Sequence, residues 1–169
     1  MPSTLIAFYS RSGHTRRVAE PLARRLGADL EAIAPTRDRE GPLGYVRSAL
    51  EAIAELPAST MPPRHDPAAY RLVVIGTPVW FWSLASPVRG YVLEERRRFA
   101  RVAFFCTMGS SGAERVFADL ARLAGKKPVA TLALTDARID AGSAKALDRF
   151  ARALGAGRGG ARGRRPGAD

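Results

Sequence analysis

The residues best suited to chemistry form one short segment near the start of the chain, SRSGHT at residues 10–15. It offers three hydroxyl groups and one glycine, and it separates an apolar run from an amphipathic segment. The apolar run at 4–9 predicts a buried strand, because it is uninterrupted, rich in β-formers and too short for a helix. A loop that leads into a helix N-terminus points backbone N–H groups at a common centre. The segment therefore predicts a binding site for a phosphate monoester.

Two more loops of suggestive composition follow predicted strands. The run at 70–76 leads into TPVWFWSLAS at 77–86, and the run at 101–106 leads into TMGSSG at 107–112. The first of these loops holds three aromatic residues, which are costly to expose unless something packs on them. Both loops therefore belong with residues 10–15 as candidate parts of one site.

The elements that must position these loops alternate between strands and helices, which predicts an α/β fold: a doubly wound, five-stranded parallel sheet with helices on both faces. The predicted strands are 4–9, 29–33, 70–76, 101–106 and 128–134. The predicted helices are 16–26, 43–56, 88–98, 113–124 and 144–154, with Pro21 an irregularity in the first and Ser86 a candidate N-cap of the third. In such sheets ligands lie at the carboxyl ends of the strands, where the strand order reverses.

A family resemblance joins these observations. Ser10, Ser12, Gly13 and Thr15 match the spacing [Ser/Thr]-x-[Ser/Thr]-Gly-x-Thr, and the segments IGTPVW, SPVRGYV, FFCTMGSSGAERVF and KKPVATLALT follow in order. Over residues 3 to about 154 the chain resembles short-chain flavodoxin-like proteins. The resemblance implies a three-layer flavodoxin-like fold with strand order 2-1-3-4-5, in which the three loops lie side by side, and FMN as the cofactor.

The resemblance also implies which residues would bind FMN. The phosphate would lie in the first loop, at Ser10, Arg11, Ser12, Gly13, His14 and Thr15. One face of the isoalloxazine would be flanked by Thr77, Pro78, Val79, Trp80 and Phe81, and its pyrimidine side would be wrapped by Thr107, Met108, Gly109, Ser111 and Gly112. Trp80 is favoured over Trp82 for the ring contact, and His14 either contacts the phosphate or faces solvent. The bulky residues 81–84 stand where the family has small ones, so the shape of the flavin edge stays open.

Composition bounds the domain organisation and the location. A chain of 169 residues with 46% apolar and 25% charged residues suits one globular domain, expected at 1–154, with a Gly/Arg-rich tail at 155–169 expected to be disordered. The single cysteine, Cys106, excludes an intrachain disulfide and a multi-thiolate metal site. Neither a membrane span nor a signal peptide is evident, so a cytoplasmic location is expected.

The net charge of +11 has two interpretations. Of the 27 basic residues 24 are Arg, which together with abundant Ala, Gly and Pro is typical of a GC-rich genome. The alternative, a dedicated surface for polyanions, is the less favoured of the two, and nucleic acid is not expected as a partner, although a basic surface attracts anionic partners whatever its origin. Four Arg and one Asp put about +3 of the charge in the tail and +8 on the rest of the chain. A functionless tail is preferred over one that binds nucleic acid.

Several function classes are excluded by specific residues. The chain has no G-x-G-x-x-G and no GxxxxGK, so neither dinucleotide nor P-loop binding is supported. A response regulator would need Asp where Gly76 and Thr77 stand. The expected function is an FMN-dependent oxidoreductase that passes electrons to a quinone-like or other small acceptor, no protein acid or base being required. The alternatives are an electron carrier for a protein partner and a binding module that has lost FMN; the expected partner is anionic, and the oligomeric state stays open.

Overall fold

The structure is a computed structural model that describes residues 2–36 and 41–156. Its strands are β1 Thr4–Phe8, β2 Asp29–Ala32, β3 Leu72–Trp80, β4 Ser83–Leu84, β5 Val102–Met108 and β6 Thr131–Thr135. Its α-helices are α1 His14–Leu26, α2 Gly41–Ile53, α3 Ser86–Glu95, α4 Ala113–Ala124, α5 Asp136–Asp140 and α6 Ala144–Ala156. Short 3-10 turns occupy Pro67–Ala69 and Arg96–Arg98. The predicted tail lies outside the described residues except for 155 and 156, which continue α6.

Within the described residues, five parallel strands form the sheet in the order β2-β1-β3-β5-β6. This confirms the predicted order, since β5 and β6 are the fourth and fifth parallel strands. The additional strand β4 pairs antiparallel with the end of β3. The chain leaves β1 for the edge strand β2 and returns to β3 on the other side of β1. The order therefore reverses between β1 and β3, where a ligand site is expected.

The core consists of two apolar layers, one on each face of the sheet. Leu5 and Ala7 point into one layer and Ile6 and Phe8 into the other, because successive side chains of a strand alternate between faces. Helices α3 and α4 cover the first layer, and helices α1 and α6 cover the second. Because helices cover both faces of the sheet, a ligand site is expected at the exposed carboxyl ends of the strands.

The segment after Gly76 differs from the predicted loop. Strand β3 continues to Trp80, and a two-residue turn then returns the chain as β4, with Val79 opposite Leu84. Ser86 does not cap α3 as predicted: it is the first residue of the helix and fully buried, and Ala85 is the N-cap. The side-chain hydroxyl that forms a hydrogen bond at this helix start belongs to Thr77, whose Oγ1 accepts from the Ala85 N–H at 3.2 Å.

Other differences lie at helix boundaries. Helix α2 begins and ends earlier than predicted, and three residues of its expected apolar face are exposed, with Leu43 87% accessible. Helix α3 ends at Glu95 and a 3-10 turn completes the predicted 88–98 segment. Helix α5 was not predicted, because a five-residue helix gives too short a periodic signal; the Thr135 side chain caps it by accepting from the Arg138 N–H. Within the described ranges, no helix is long and apolar enough to cross a membrane.

Candidate functional site

The loop at 10–15 joins β1 to α1 at the carboxyl edge, which we define as the sheet edge where the parallel strands end. Gly13 caps α1 with a φ of 96°, a left-handed conformation that glycine adopts without steric penalty. Among the described residues, an added Cβ at Gly13 would meet nothing within 4 Å, so the space on that side of Gly13 is open. The first turn of α1 contains no acidic residue. The predicted phosphate loop therefore has the backbone and the charge that an anion site requires.

Backbone N–H groups remain available at this helix N-terminus. The Arg16 N–H donates to Ser10 Oγ at 3.2 Å, and the Arg17 N–H donates to the Gly13 carbonyl at 3.0 Å. Among the described residues, no group accepts from the N–H of Gly13, His14 or Thr15. Exposed helix-start N–H groups and the positive end of the helix dipole favour an anionic ligand.

The first and third loops meet through two buried hydroxyl groups. Thr15 Oγ1 and Thr107 Oγ1 lie 2.9 Å apart, and each residue is about 2% exposed. Thr15 belongs to the first turn of α1, whereas Thr107 stands near the end of β5. The structure thus brings residues 10–15 and 107–112 together, as side-by-side loops require.

The second loop is a tight hairpin that carries two exposed aromatic rings. Phe81 and Trp82 form its turn with φ values of 49° and 57°, a left-handed pair that hairpin turns favour but aromatic residues rarely adopt. Their side chains are 46% and 61% exposed. Trp82 Nε1 donates to Ser111 Oγ at 3.1 Å, and a Cβ at Gly112 would lie 2.8 Å from Val79 Cγ1. The hairpin therefore contacts the third loop closely, and glycine at 112 permits that approach.

Trp80 occupies a different environment from Trp82. Its ring packs edge-on against Tyr9, with ring centroids 5.5 Å apart and an interplanar angle of 88°. Trp80 is partly buried and packs against the apolar layer beneath α3 and α4. Because Tyr9 directly precedes the first loop, Trp80 links that loop to the hairpin.

Two of the residues predicted to contact the cofactor, Thr77 and Thr107, use their hydroxyl groups in hydrogen bonds within the protein. Thr77 is fully buried, and its hydroxyl both donates to the Pro78 carbonyl and accepts from the Ala85 N–H. The Thr107 hydroxyl is paired with Thr15. These side chains hold the loops in place, and the remaining predicted residues of the second and third loops, Pro78, Val79, Met108, Gly109, Ser111 and Gly112, are partly or fully exposed at the carboxyl edge.

A charged cluster beside the first loop was missed from the sequence. His14 Nδ1 lies 3.2 Å from Ser12 Oγ, and the imidazole lies 3.9 Å from an Asp136 carboxylate oxygen and 3.7 Å from one of Asp140. The hydrogen bond from Arg17 holds the pKa of the Asp140 carboxyl below its usual value. Both carboxylates belong to the unpredicted α5, which is why no spacing signal could have found them. The His14 imidazole therefore contacts both the Ser12 side chain of the loop and the carboxylates of α5.

Cys106 plays no visible part in this site. It lies in β5, fully buried, and burial raises the pKa of its thiol to about 12. A thiol that stays protonated is a poor nucleophile and a poor metal ligand. No cluster of metal-ligating side chains occurs within residues 2–36 and 41–156.

Comparison with known proteins identifies the family. A family model described as flavodoxin matches residues 3–145. The chain belongs to the flavodoxin family. None of the curated protein sequences matches it.

Solved structures agree with this family on the fold. A flavoprotein from Lactobacillus acidophilus NCFM, solved in complex with FMN, is 23% identical with a TM-score of 0.69, covering 85% of this chain and 99% of its own. A structure from Bacteroides uniformis ATCC 8492 has a TM-score of 0.75 at 20% identity, covering 89% of this chain and 97% of its own. Oxidised flavodoxin 1 from Bacillus cereus reaches 0.51 at 15% identity, covering 90% and 97%. Identities this low show the fold alone.

The residues of this member of the flavodoxin family fit FMN. The first loop presents open N–H groups and an unfilled space at Gly13, and the hairpin beside it presents two exposed aromatic rings. An anionic terminal group and a flat apolar ring system are what these two features complement. Membership of the flavodoxin family supports the predicted cofactor.

Proposed function

We propose that this protein binds FMN at the carboxyl edge and transfers electrons to a quinone-like or other small aromatic acceptor. The observation that carries the proposal is the convergence of the three loops, seen in the Thr15–Thr107 hydroxyl pair and the Trp82–Ser111 hydrogen bond. FMN, when bound, supplies reversible uptake and release of one or two electrons. The work of the chain is to bind, orient and shield it.

Each loop has its own role in the proposed site. The N–H groups at Gly13, His14 and Thr15, with the Ser12 hydroxyl, would hold the phosphate. Arg11 adds a positive charge at the same loop. The hairpin would flank the ring system, and the third loop, from Met108 to Gly112, would border its polar edge. Two tryptophans are candidates for the contact with the isoalloxazine. The sequence favours Trp80, whereas the greater exposure in the structure favours Trp82.

The exposed aromatic turn favours a reductase over an electron carrier. Phe81 and Trp82 are held in a strained left-handed turn, and each such residue costs about 1–3 kcal/mol. Strain of this kind persists where the surroundings impose it. In this turn it accompanies the exposure of two flat apolar rings at the carboxyl edge, where small molecules can reach them. A planar acceptor can stack on such surfaces. A cytoplasmic location belongs to the same proposal and rests on the sequence.

The experiment begins with the absorption spectrum of the purified protein, which should show bound flavin, or acquire it on addition of FMN. Steady NAD(P)H consumption with a soluble quinone is then expected. Flavin binding without turnover, but with electron transfer to a protein acceptor, would select the carrier. A colourless protein that ignores added FMN would contradict the proposal and select the binding module.

A further inference from the structure

Basic residues are concentrated at the end of the molecule opposite the proposed FMN site. The helices that cover the sheet run back against the strands, so their C-terminal ends lie where the strands begin. At this end stand the basic residues of the strand starts and of the turns after α3 and α4. We call this set the basic edge: Arg71, Arg96, Arg97, Arg98, Arg101, Arg122, Lys126 and Lys127.

Backbone contacts show that the basic edge is continuous. The Val73 N–H donates to the Arg101 carbonyl at 2.9 Å, so Arg71 and Arg101 start neighbouring strands. The Val129 N–H donates to the Val102 carbonyl at 2.9 Å, which places the end of the Lys126–Lys127 turn beside the same strand. Neighbouring strands lie about 4.8 Å apart, so these positions form a row along the edge.

Acidic residues neutralise only part of this row. Arg98 pairs with Asp66 and Glu95, and Arg122 pairs with Asp119. Within the described ranges, no carboxylate pairs with the members Arg71, Arg96, Arg97, Lys126 and Lys127. The row therefore keeps a cluster of uncompensated positive charge that faces solvent.

Helix stabilisation explains only some of these charges. Cations at helix C-terminal ends interact favourably with the helix dipole, which accounts for residues 96–98 and Arg122. Arg71 precedes β3 after a 3-10 turn, and Lys127 follows the Gly125 cap of α4. Neither position gains from a helix dipole, since the effect is confined to the last turn. A role in binding an anion would account for Arg71 and Lys127 as well as for the cations at the helix ends.

The carboxyl edge has a different charge pattern. There Arg16 pairs with Glu20, Arg17 with Asp140, and Arg115 with Glu55. The positive charge of the body is therefore unevenly distributed, and codon bias gives no reason for that unevenness.

We propose that the basic edge binds the phosphate backbone of nucleic acid. The guanidinium group forms paired hydrogen bonds with phosphate, and six of the eight members of the row are Arg. This binding is independent of FMN, because it uses the opposite end of the molecule.

Other anionic partners fit the surface less well. Surface binding to a membrane uses apolar residues beside the charges, and Val129 is the one exposed large apolar residue of the described chain that adjoins this row. A protein that exchanges electrons with the site would dock at the carboxyl edge, where Phe81 and Trp82 lie. Composition favoured codon bias over a surface for polyanions, because the number of charges does not show where they cluster.

The test measures binding of a fluorescein-labelled DNA duplex of about 20 base pairs by anisotropy at several salt concentrations. The full-length protein is compared with the edge variant Arg71→Glu/Arg97→Glu/Lys127→Glu. The matched control, Arg138→Glu/Lys145→Glu/Arg149→Glu, changes the net charge equally at exposed residues of α5 and α6. Thermal melting confirms that each variant folds, and a chain ending at Ala156 isolates the contribution of residues 157–169.

We expect micromolar binding by the wild type, with log K falling by about 4 per decade of salt if four or five phosphates are neutralised. The edge variant should bind at least tenfold more weakly, and the control within about threefold of wild type. Equal weakening by both triples would reduce the effect to net charge and overturn the proposal. So would absence of binding at about 50 mM salt, or binding lost only with residues 157–169 while the edge variant binds normally. Vesicles of anionic lipid, tested in parallel, should bind more weakly than DNA; binding to them that equals or exceeds binding to DNA would also overturn the proposal.

Discussion

At the scale of single residues, the candidate site depends on glycines that adopt a positive φ. Gly13 adopts a φ of 96° at the start of α1, and Gly112 adopts 111° where the hairpin approaches the third loop. The sequence predicted both positions, because glycine and hydroxyl residues after a strand form a recognisable spacing. It could not predict the Thr15–Thr107 contact, since hydrogen bonds between distant loops leave no local signal.

Removing two hydroxyls of the first loop should weaken FMN binding selectively. In Ser12→Ala/Thr15→Ala the phosphate loses the Ser12 hydroxyl, a donor that contributes about 1.5–3 kcal/mol to a charged acceptor, and the Thr15–Thr107 pair that holds the helix start in place is broken. Affinity for FMN should fall at least tenfold, as measured by calorimetric titration of the apoprotein. Thr131→Ala, which removes an exposed hydroxyl from β6, is the control and should bind normally. An unchanged dissociation constant in the double variant would remove the phosphate assignment.

The two tryptophans should respond differently to replacement. Trp82→Leu removes an exposed ring, so we expect weaker binding of FMN and of riboflavin alike, with little change in the free energy of unfolding. Trp80→Leu removes a ring packed on Tyr9 and should lower the free energy of unfolding by about 1–3 kcal/mol. Titration with both flavins and urea denaturation provide the measurements. If only Trp80→Leu weakens flavin binding at full stability, the original preference for Trp80 is correct.

At the scale of elements, close packing against α3 fixes the hairpin and the segment beside it. The Ala58 N–H donates to the Ser86 carbonyl at 3.0 Å, and a Cβ at Gly90 would overlap the Ala58 carbonyl oxygen. The sequence predicted α3 after a candidate capping serine, but the pairing of β4 and the exposed face of α2 depend on tertiary contacts. Helix periodicity identifies an apolar face without showing whether anything covers it.

Adding one methyl group at Gly90 should therefore destabilise the protein. Gly90→Ala forces the backbone of α3 and of Ala58 apart, and overpacking of this kind costs about 1–3 kcal/mol. Gly155→Ala is the matched control: it lies in α6, none of the described residues comes within 4 Å of an added Cβ, and Ala in a helix is favoured over Gly by up to about 1 kcal/mol. Urea denaturation followed by circular dichroism should give opposite signs. Equal stability of Gly90→Ala and wild type would show that α3 does not pack as described.

At the scale of the whole molecule, opposite edges of one sheet carry different surfaces. The strand order 2-1-3-4-5 could be predicted, because buried runs alternating with helices admit few arrangements and the family resemblance selects one. The separation of open N–H groups and aromatic rings at one edge from unpaired cations at the other could not. It follows from the folded path of the chain, which places Arg71 and Lys127 near the starts of β3 and β6, on either side of β5.

The central claim is that the first loop recognises the phosphate of FMN. It is tested most directly by calorimetric titration of the wild-type apoprotein with FMN and with riboflavin, which lacks the phosphate. FMN should bind at least about a hundredfold more tightly, because two or more hydrogen bonds to a charged group contribute about 3 kcal/mol or more. Equal affinity for the two flavins, or no binding of either, would contradict the account.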